Sequence, residues 1–303
     1  MSLIALKIDV DTWRGTREGV PRLVDMLKAH EAGATFLLSL GPDHTGRAIT
    51  RVFRRGFMKK VSRTSVREHY GIRTLLYGTL LPGPDIGRTC AGIMREVKAA
   101  GFEVGIHAWD HVKWQDHVAT ADADWTGAQM RLSMDRFEDI FGEAARSHGA
   151  AGWQTNVHAL RLTQRLGFPY SSDSRGHCPF IPVVRGEVIA CTQLPTTLPT
   201  LDELIGREDI TVANVARHIL QLTSGPSELG HVYTLHAELE GGKLSGVFEA
   251  LLSGWKNQGH RLVCLRELHD SLDTARLPRN EIAMGEVPGR SGELAMQGEE
   301  FLT

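Results

Sequence analysis

Segments that read as buried strands alternate with segments that read as amphipathic helices along most of this chain, and that order limits the fold more than any other feature. "LIALKIDVD" is followed by a helical pattern from about Pro21 to Ala32 and then by the strand "ATFLLSL". After a long interruption come a helix over about Ile86 to Ala100, the strand "FEVGIH", and helical patterns near 127–141 and 155–166. "FPYSSD", "VIACTQLP", a helix near 212–223, "HVYTLHAE", a helix near 245–258 and "RLVCL" complete the series. Repeated strand–helix units predict a mostly parallel sheet with helices outside it. About seven strands over so long a stretch suit a closed or nearly closed β/α barrel better than a small open sheet.

A barrel of this kind carries its chemistry at the C-terminal ends of its strands. Four different strands here end in ionisable groups: Asp9 and Asp11, then His107, then Asp173 and Arg175, then His236 and Glu238. Asp9 and Asp11 are two apart, so along a strand they point the same way. Two carboxylates side by side repel unless a cation or a shared proton relieves them. "HAWDH" supplies partners for a cation, since His107 and His111 are four apart and would share a face on a helical turn. Two imidazoles and one carboxylate form a ligand set that leaves positions open for water and substrate. Zn²⁺ is the default occupant, and Mn²⁺, Co²⁺, Ni²⁺ and Fe²⁺ also suit these donors. Ala108 stands where a zincin needs glutamate, and Gly105 stands where an HxHxDH motif needs histidine. One metal does not need both aspartates, so one serves as ligand and the other as a base toward water, with His236 placed to protonate a leaving group. These parts suit hydrolysis of an amide or ester.

The 34 basic and 36 acidic residues nearly cancel, which argues against a general nucleic-acid partner. Hydrophobic residues make up 42% of the chain, enough for a sizeable core. Four scattered cysteines, Cys90, Cys178, Cys191 and Cys264, give neither a disulfide framework nor a zinc knuckle. No signal-peptide pattern or membrane-spanning run is recognised, so a reducing cytoplasm is the expected compartment. No obligate protein partner is indicated.

The interruption, about 42–85, is locally unbalanced. From Arg47 to Arg73 it holds nine Lys or Arg residues and one acidic residue, Glu68. Apolar residues such as Phe57 interleave with Arg54, Arg55, Lys59 and Lys60 at helical spacing, and Leu75 and Leu76 open an apolar patch after them. A basic amphipathic stretch beside an apolar one suits an anionic membrane surface; a solvated helix packed on the barrel rim is the plainer alternative. Trp13, Trp109, Trp114 and Trp153 lie near the proposed rim and suit either a sugar pocket or the core. Arg14 and Arg17 suit either a phosphate or surface pairing.

"DVD" after the first strand, "HAWDH" after a middle one and "YTLHAE" near the end resemble the NodB-type polysaccharide deacetylases. "IDVDTWRGTREGVPRL", "AAGW", "SSDSRG" and "QLPTTLPTLDELIGR" narrow the resemblance to a branch of deformylases acting on undecaprenyl-phosphate 4-deoxy-4-formamido-L-arabinose. The resemblance runs from about residue 3 to 270. It implies a distorted (β/α)7–8 barrel, expected over residues 1–273, while the Gly-, Glu- and Arg-rich composition of 274–303 reads as a loose C-terminal extension. It implies one divalent metal on Asp11, His107 and His111, with Asp9 as general base and His236 as general acid. Asp173 and Arg175 would support the site by orienting Asp9 or His236. Trp153 would line the sugar pocket, with Arg14 and Trp109 beside it. The implied partners are a polyprenyl-phosphate sugar and the cytoplasmic face of the bacterial inner membrane, and the implied role is lipid A modification and polymyxin resistance. The chain departs from the wider family in two places: Val10 separates aspartates that are usually adjacent, and "AAGW" stands where Arg-x-Pro is usual. Arg175 is the candidate for that arginine's part. Deacetylation of another N-acylated sugar or polysaccharide is the alternative activity, and a non-catalytic anion-binding barrel is the rival outside enzymology.

Overall fold

The computed structural model describes residues 2–48 and 73–302. Strand β1 (Leu3–Val10) lies at the centre of a parallel sheet. One edge pairs with β8 (His231–His236); the other pairs with β2 (Thr35–Ser39) through Lys7–Val10 and with β9 (Arg261–Val263) through Leu3–Ala5. β2 continues to β3 (Glu103–Ala108). A strand buried on both faces needs a near-continuous apolar run, and "LIALKIDV" is one apart from Lys7 and Asp9.

Beyond β3 the ring closes through short, irregular pieces. Ile106 and Ser147–Gly149 exchange backbone bonds, Ser172 N donates to His148 O, and Leu194 N donates to Ser171 O. β4 (Tyr170–Ser171) pairs with β7 (Thr192–Gln193), and Thr197 and Leu198 donate to Val232 O on β8. The expected barrel is therefore present in distorted form, with one half a regular sheet and the other half held by single bridges.

Helices cover the outside, and their ends follow local chemistry. Asp122 accepts from Trp125 N and starts the helix Ala123–Phe141 four residues before the expected boundary. That helix ends at Gly142 with φ +70°, a conformation glycine adopts without Cβ strain. The helix expected over 86–100 is two pieces, Ile86–Thr89 and Ala91–Ala99, broken at Cys90 (φ −114°, ψ 10°). "VIACTQLP" is also divided, between β6 (Glu187–Val188) and β7.

Two expectations fare differently at the insert and the tail. Arg54, Arg55, Phe57, Lys59 and Lys60 lie outside the described residues. The flanks of the insert are pinned together: Asp43 N donates to Pro84 O and Gly46 N to Tyr77 O. Leu75 and Leu76 form a half-buried turn, Thr74–Leu76, and Leu80 is 80% exposed.

The tail is not loose. β10 (Arg279–Glu286) and β11 (Glu293–Glu300) form an antiparallel hairpin, and β10 joins β5 (Ile181–Val184) in parallel. Arg175 N donates to Ala295 O and Gln297 N donates to Arg175 O, so the hairpin braces the loop after β4. Among the described residues no helix is long and apolar enough to cross a membrane.

Candidate metal centre and active site

The inner face of β1 carries Lys7 and Asp9 two residues apart, and Asp11 follows just past the strand end. The parallel register sets Asp9 beside His236 on β8, and Ala237 N donates to Asp9 O (3.0 Å). On the other side the β2–β3 ladder slips one residue at His107, pairing Leu38 with Ile106 and then Ser39 with Ala108. Bulges of this kind end pairing and re-aim side chains beside active sites.

His107 and His111 do not share a helical turn. His107 is the last residue but one of β3, while His111 is the first residue of the helix His111–His117. The intervening turn still brings their rings to 5.3 Å, inclined by 30°. Asp11 Oδ1 lies 3.2 Å from His107 Nε2 and 3.3 Å from His111 Nε2. The His107 Nδ1–H donates to Gly149 O (2.7 Å), which leaves Nε2 with its lone pair toward Asp11. Asp110 caps the helix bearing His111 by accepting from Lys113 N (3.0 Å), and its other oxygen meets His44 Nδ1 at 2.6 Å.

The donor set fits a divalent cation. One ligand atom from each of Asp11, His107 and His111 falls within a 4.8 Å cluster. Asp11 Oδ1 and His107 Nε2 are buried and close, yet neither has a hydrogen bond. Acceptor lone pairs converging on one point, and not on each other, are what a cation between them satisfies. Burial acts to raise the Asp11 pKa, but His111, His107 and His236 outweigh it and hold the carboxyl well below its ordinary range. Burial acts to lower the His107 pKa, but Asp9 and Asp11 outweigh it and raise it.

Asp9 Oδ1 and His236 Nδ1 are likewise buried without a hydrogen bond, on residues that are register partners on β1 and β8. The cation beside Asp9 is Lys7: its Nζ is 3.6 Å from Asp9 Oδ2 and donates to Ser172 O at 3.0 Å, and the side chain is fully buried. Burial lowers the Lys7 pKa, with Asp9 and Asp173 opposing. Glu238 also belongs here. Its Oε1 accepts from Asp11 N, Thr12 N and Thr12 Oγ1 and holds the loop after β1 in place. Burial and then the Asp11 charge push its carboxyl up to about 8. A side chain at Gly15 would collide with this carboxylate, so the tight loop needs glycine there.

The residues expected to support the site work on other partners. Asp173 accepts from His148 Nδ1 (2.7 Å), Ala150 N and Gln193 Nε2, not from Asp9 or His236. Burial acts to raise its pKa, and His148 more than offsets that. Arg175 is paired with Glu203 (2.6 Å) and Leu198 O, and so does not take the part of an arginine beside the base. Trp153 is 1% exposed and offers no surface to a sugar. Its Nε1 donates to Thr196 Oγ1, and Lys7, Arg175 and Arg290 stand within 5.3, 5.0 and 4.6 Å of its ring centroid. Its backbone is left-handed (φ +54°), a cost these contacts offset. Trp109 is half-buried under Arg136, 5.1 Å from its ring. Arg14 lines an open pocket near Asp11 and pairs with Glu18 (2.8 Å).

Asp11, His107 and His111 gather as a donor set that could hold a metal ion, beside Asp9 and its register partner His236, as a metal-dependent hydrolase requires. Residues 2–171 match the polysaccharide deacetylase family, and the chain belongs to it. It is 39% identical over 300 residues to the "Probable 4-deoxy-4-formamido-L-arabinose-phosphoundecaprenol deformylase ArnD" of Shewanella sediminis, a match covering 97% of this chain and 94% of that one. A protein of the same name from Wigglesworthia glossinidia brevipalpis is 32% identical over 286 residues, covering 93% of this chain and 98% of that one. The crystal structure of a polysaccharide deacetylase from Mycobacterium smegmatis shares the fold at 14% identity, with a TM-score of 0.61 over 94% of this chain and 96% of that one.

Proposed function

We propose that the protein removes formate from 4-deoxy-4-formamido-L-arabinose carried on undecaprenyl phosphate. The observation that carries this reading is the Asp11–His107–His111 cluster, with Asp9 Oδ1 and His236 Nδ1 buried near it without a hydrogen bond. The similarity to deformylases over nearly the whole chain supplies the substrate.

When held by Asp11, His107 and His111, a divalent cation supplies a Lewis acid that polarises the amide carbonyl and makes water more acidic. Zn²⁺ suits two imidazoles and one carboxylate best, and Mn²⁺, Co²⁺, Ni²⁺ and Fe²⁺ share the preference. Asp9 takes a proton from the water that attacks the formyl carbon. Lys7 balances the Asp9 charge from beneath. His236 gives a proton to the sugar nitrogen as the C–N bond breaks. Formate and the 4-amino sugar leave, and the amine is cationic at neutral pH. On lipid A that charge would offset phosphate and weaken polymyxin binding.

A polyprenyl-phosphate substrate supports a peripheral site of action at the cytoplasmic face of the inner membrane, and the basic charge of the insert supports contact with anionic lipid. Salt-sensitive flotation with anionic vesicles is the expected result, and its absence removes this part of the reading. The activity is tested by giving purified, Zn²⁺-loaded protein the detergent-solubilised formamido lipid and its acetamido analogue. Formate release well above acetate release is expected; acetate release alone would turn the reading to deacetylation.

A further inference from the structure

A pocket of about 200 Å³ opens beside the metal cluster, and the reaction just described leaves it unused. Thr12, Arg14, Arg22, Glu238, Gly242 and Lys243 line it. It is joined to the site through Glu238, whose carboxylate accepts from Asp11 N on one side and forms the pocket wall on the other. Ala237, next to His236, also contributes to the wall.

The charges of this lining favour an anion. Two guanidinium groups and an ammonium face two carboxylates, so the lining carries more cations than anions. Glu18 is bound to Arg14 at 2.8 Å, and Glu238 is held by the Asp11 and Thr12 amides and the Thr12 hydroxyl. Arg22 donates once, from Nη1 to Gly242 O at 3.2 Å, which fixes the guanidinium over the glycine turn. A guanidinium has five donors, so this bond leaves a planar fork for a phosphate. Glycines at 241 and 242 keep that wall free of side chains.

The position matches the substrate's own geometry. In a 4-formamido pentose linked through C1 to a phosphodiester, the amide and the phosphate stand at opposite ends of one ring. An amide at Asp9 and His236 therefore requires an anion site about one pentose away, and this pocket begins one side chain beyond Asp11. We infer that the pocket is the phosphate subsite, in which Arg22 and Lys243, with Arg14, hold the phosphodiester of a prenyl-phosphate sugar and so position its amide at the metal cluster. The inference rests on the deformylase reading for its substrate.

The test uses the full-length, Zn²⁺-loaded protein and the Arg22→Gln/Lys243→Gln double variant, neither position being part of the catalytic machinery. Farnesyl phosphate and inorganic phosphate are titrated calorimetrically. Formate release is followed from the prenyl-phosphate sugar and from the phosphate-free methyl 4-formamido-arabinoside. The double variant is expected to bind farnesyl phosphate at least about tenfold more weakly and to raise KM for the phosphorylated substrate by about 10–100-fold, with kcat within about threefold. Turnover of the methyl glycoside should not change. Unaltered farnesyl phosphate binding, equal slowing of both substrates, or binding of inorganic phosphate without farnesyl phosphate would each overturn the assignment. If the wild-type protein releases formate from neither sugar, the deformylase reading fails, while the farnesyl phosphate titration still decides the pocket.

Discussion

Replacing Lys7 by methionine should cost the enzyme most of its turnover and little of its substrate affinity. Methionine is close to lysine in length and keeps the buried stem packed. The ammonium it removes lies 3.6 Å from Asp9 Oδ2, in a side chain with no solvent contact. At an effective dielectric of about 20, a unit pair at that distance interacts by roughly 4–5 kcal/mol. Part of this is recovered by relaxation and by the bound cation nearby, so about 2–3 kcal/mol of the penalty should fall on the Asp9 carboxylate and its contribution as a base. At about 1.4 kcal/mol per tenfold, kcat should drop roughly 30–140-fold. KM should stay within about threefold, because Lys7 lies beneath the site and does not touch the sugar. Formate release measured across substrate concentrations gives both constants, and thermal melting with metal analysis checks that the variant is folded and loaded. Lys7→Arg keeps the charge and should retain more activity than Lys7→Met. A folded, metal-loaded Lys7→Met enzyme with wild-type kcat would refute the reasoning and return the role to another cation.

Two further outcomes follow from packing and charge. Burial pushes the Glu240 carboxyl up to about 8, so the folded chain keeps a proton that the unfolded chain releases near pH 4–5. The stability this contributes is complete below the unfolded value and lost as pH rises through about 8. Glu240→Gln should therefore melt at a temperature that falls less between pH 5 and 8 than the wild type's, and parallel slopes would count against it. Truncation after Pro278 removes β10, the partner of β5 on one edge, and the Gln297 side chain that accepts from His177 N (2.9 Å) and Cys178 N (3.2 Å). The melting temperature should drop by at least about 5 °C, and an unchanged melt would mean that the hairpin is an appendage.

Much of the site was legible because strand ends in a β/α barrel converge. That rule groups Asp9, Asp11, His107, His236 and Glu238, which do lie together, and also Asp173 and Arg175, which bond elsewhere. The His107–His111 spacing points to two rings that the fold does bring together, but through a strand, a turn and a helix start in place of the single helical turn. Lys7 was missed although the two-residue alternation that joined Asp9 to Asp11 extends to it; a lysine inside an apolar run does not announce its partner. Arg175 was misplaced because the choice between Glu203 and Asp9 depends on where Leu201–Leu204 packs, which is a long-range fact. Trp153 was misjudged because an aromatic beside a rim reads alike whether it faces solvent or lies under the cations of Lys7, Arg175 and Arg290. The hairpin after residue 278 escaped notice because "NEIAMGE" and "ELAMQGEE" alternate weakly, with short side chains, and gain their order by pairing with each other and with β5.

The central claim is a division of labour between two aspartates two residues apart, Asp11 holding the metal and Asp9 serving as base. Metal content and formate release measured together on wild type, Asp9→Asn and Asp11→Asn test it most directly. Asp9→Asn should keep near-stoichiometric metal and lose at least about 100-fold in kcat, whereas Asp11→Asn should lose both metal and activity, as chelation of the wild type should. An Asp9→Asn enzyme that loses its metal, or that keeps both metal and wild-type turnover, would contradict the account.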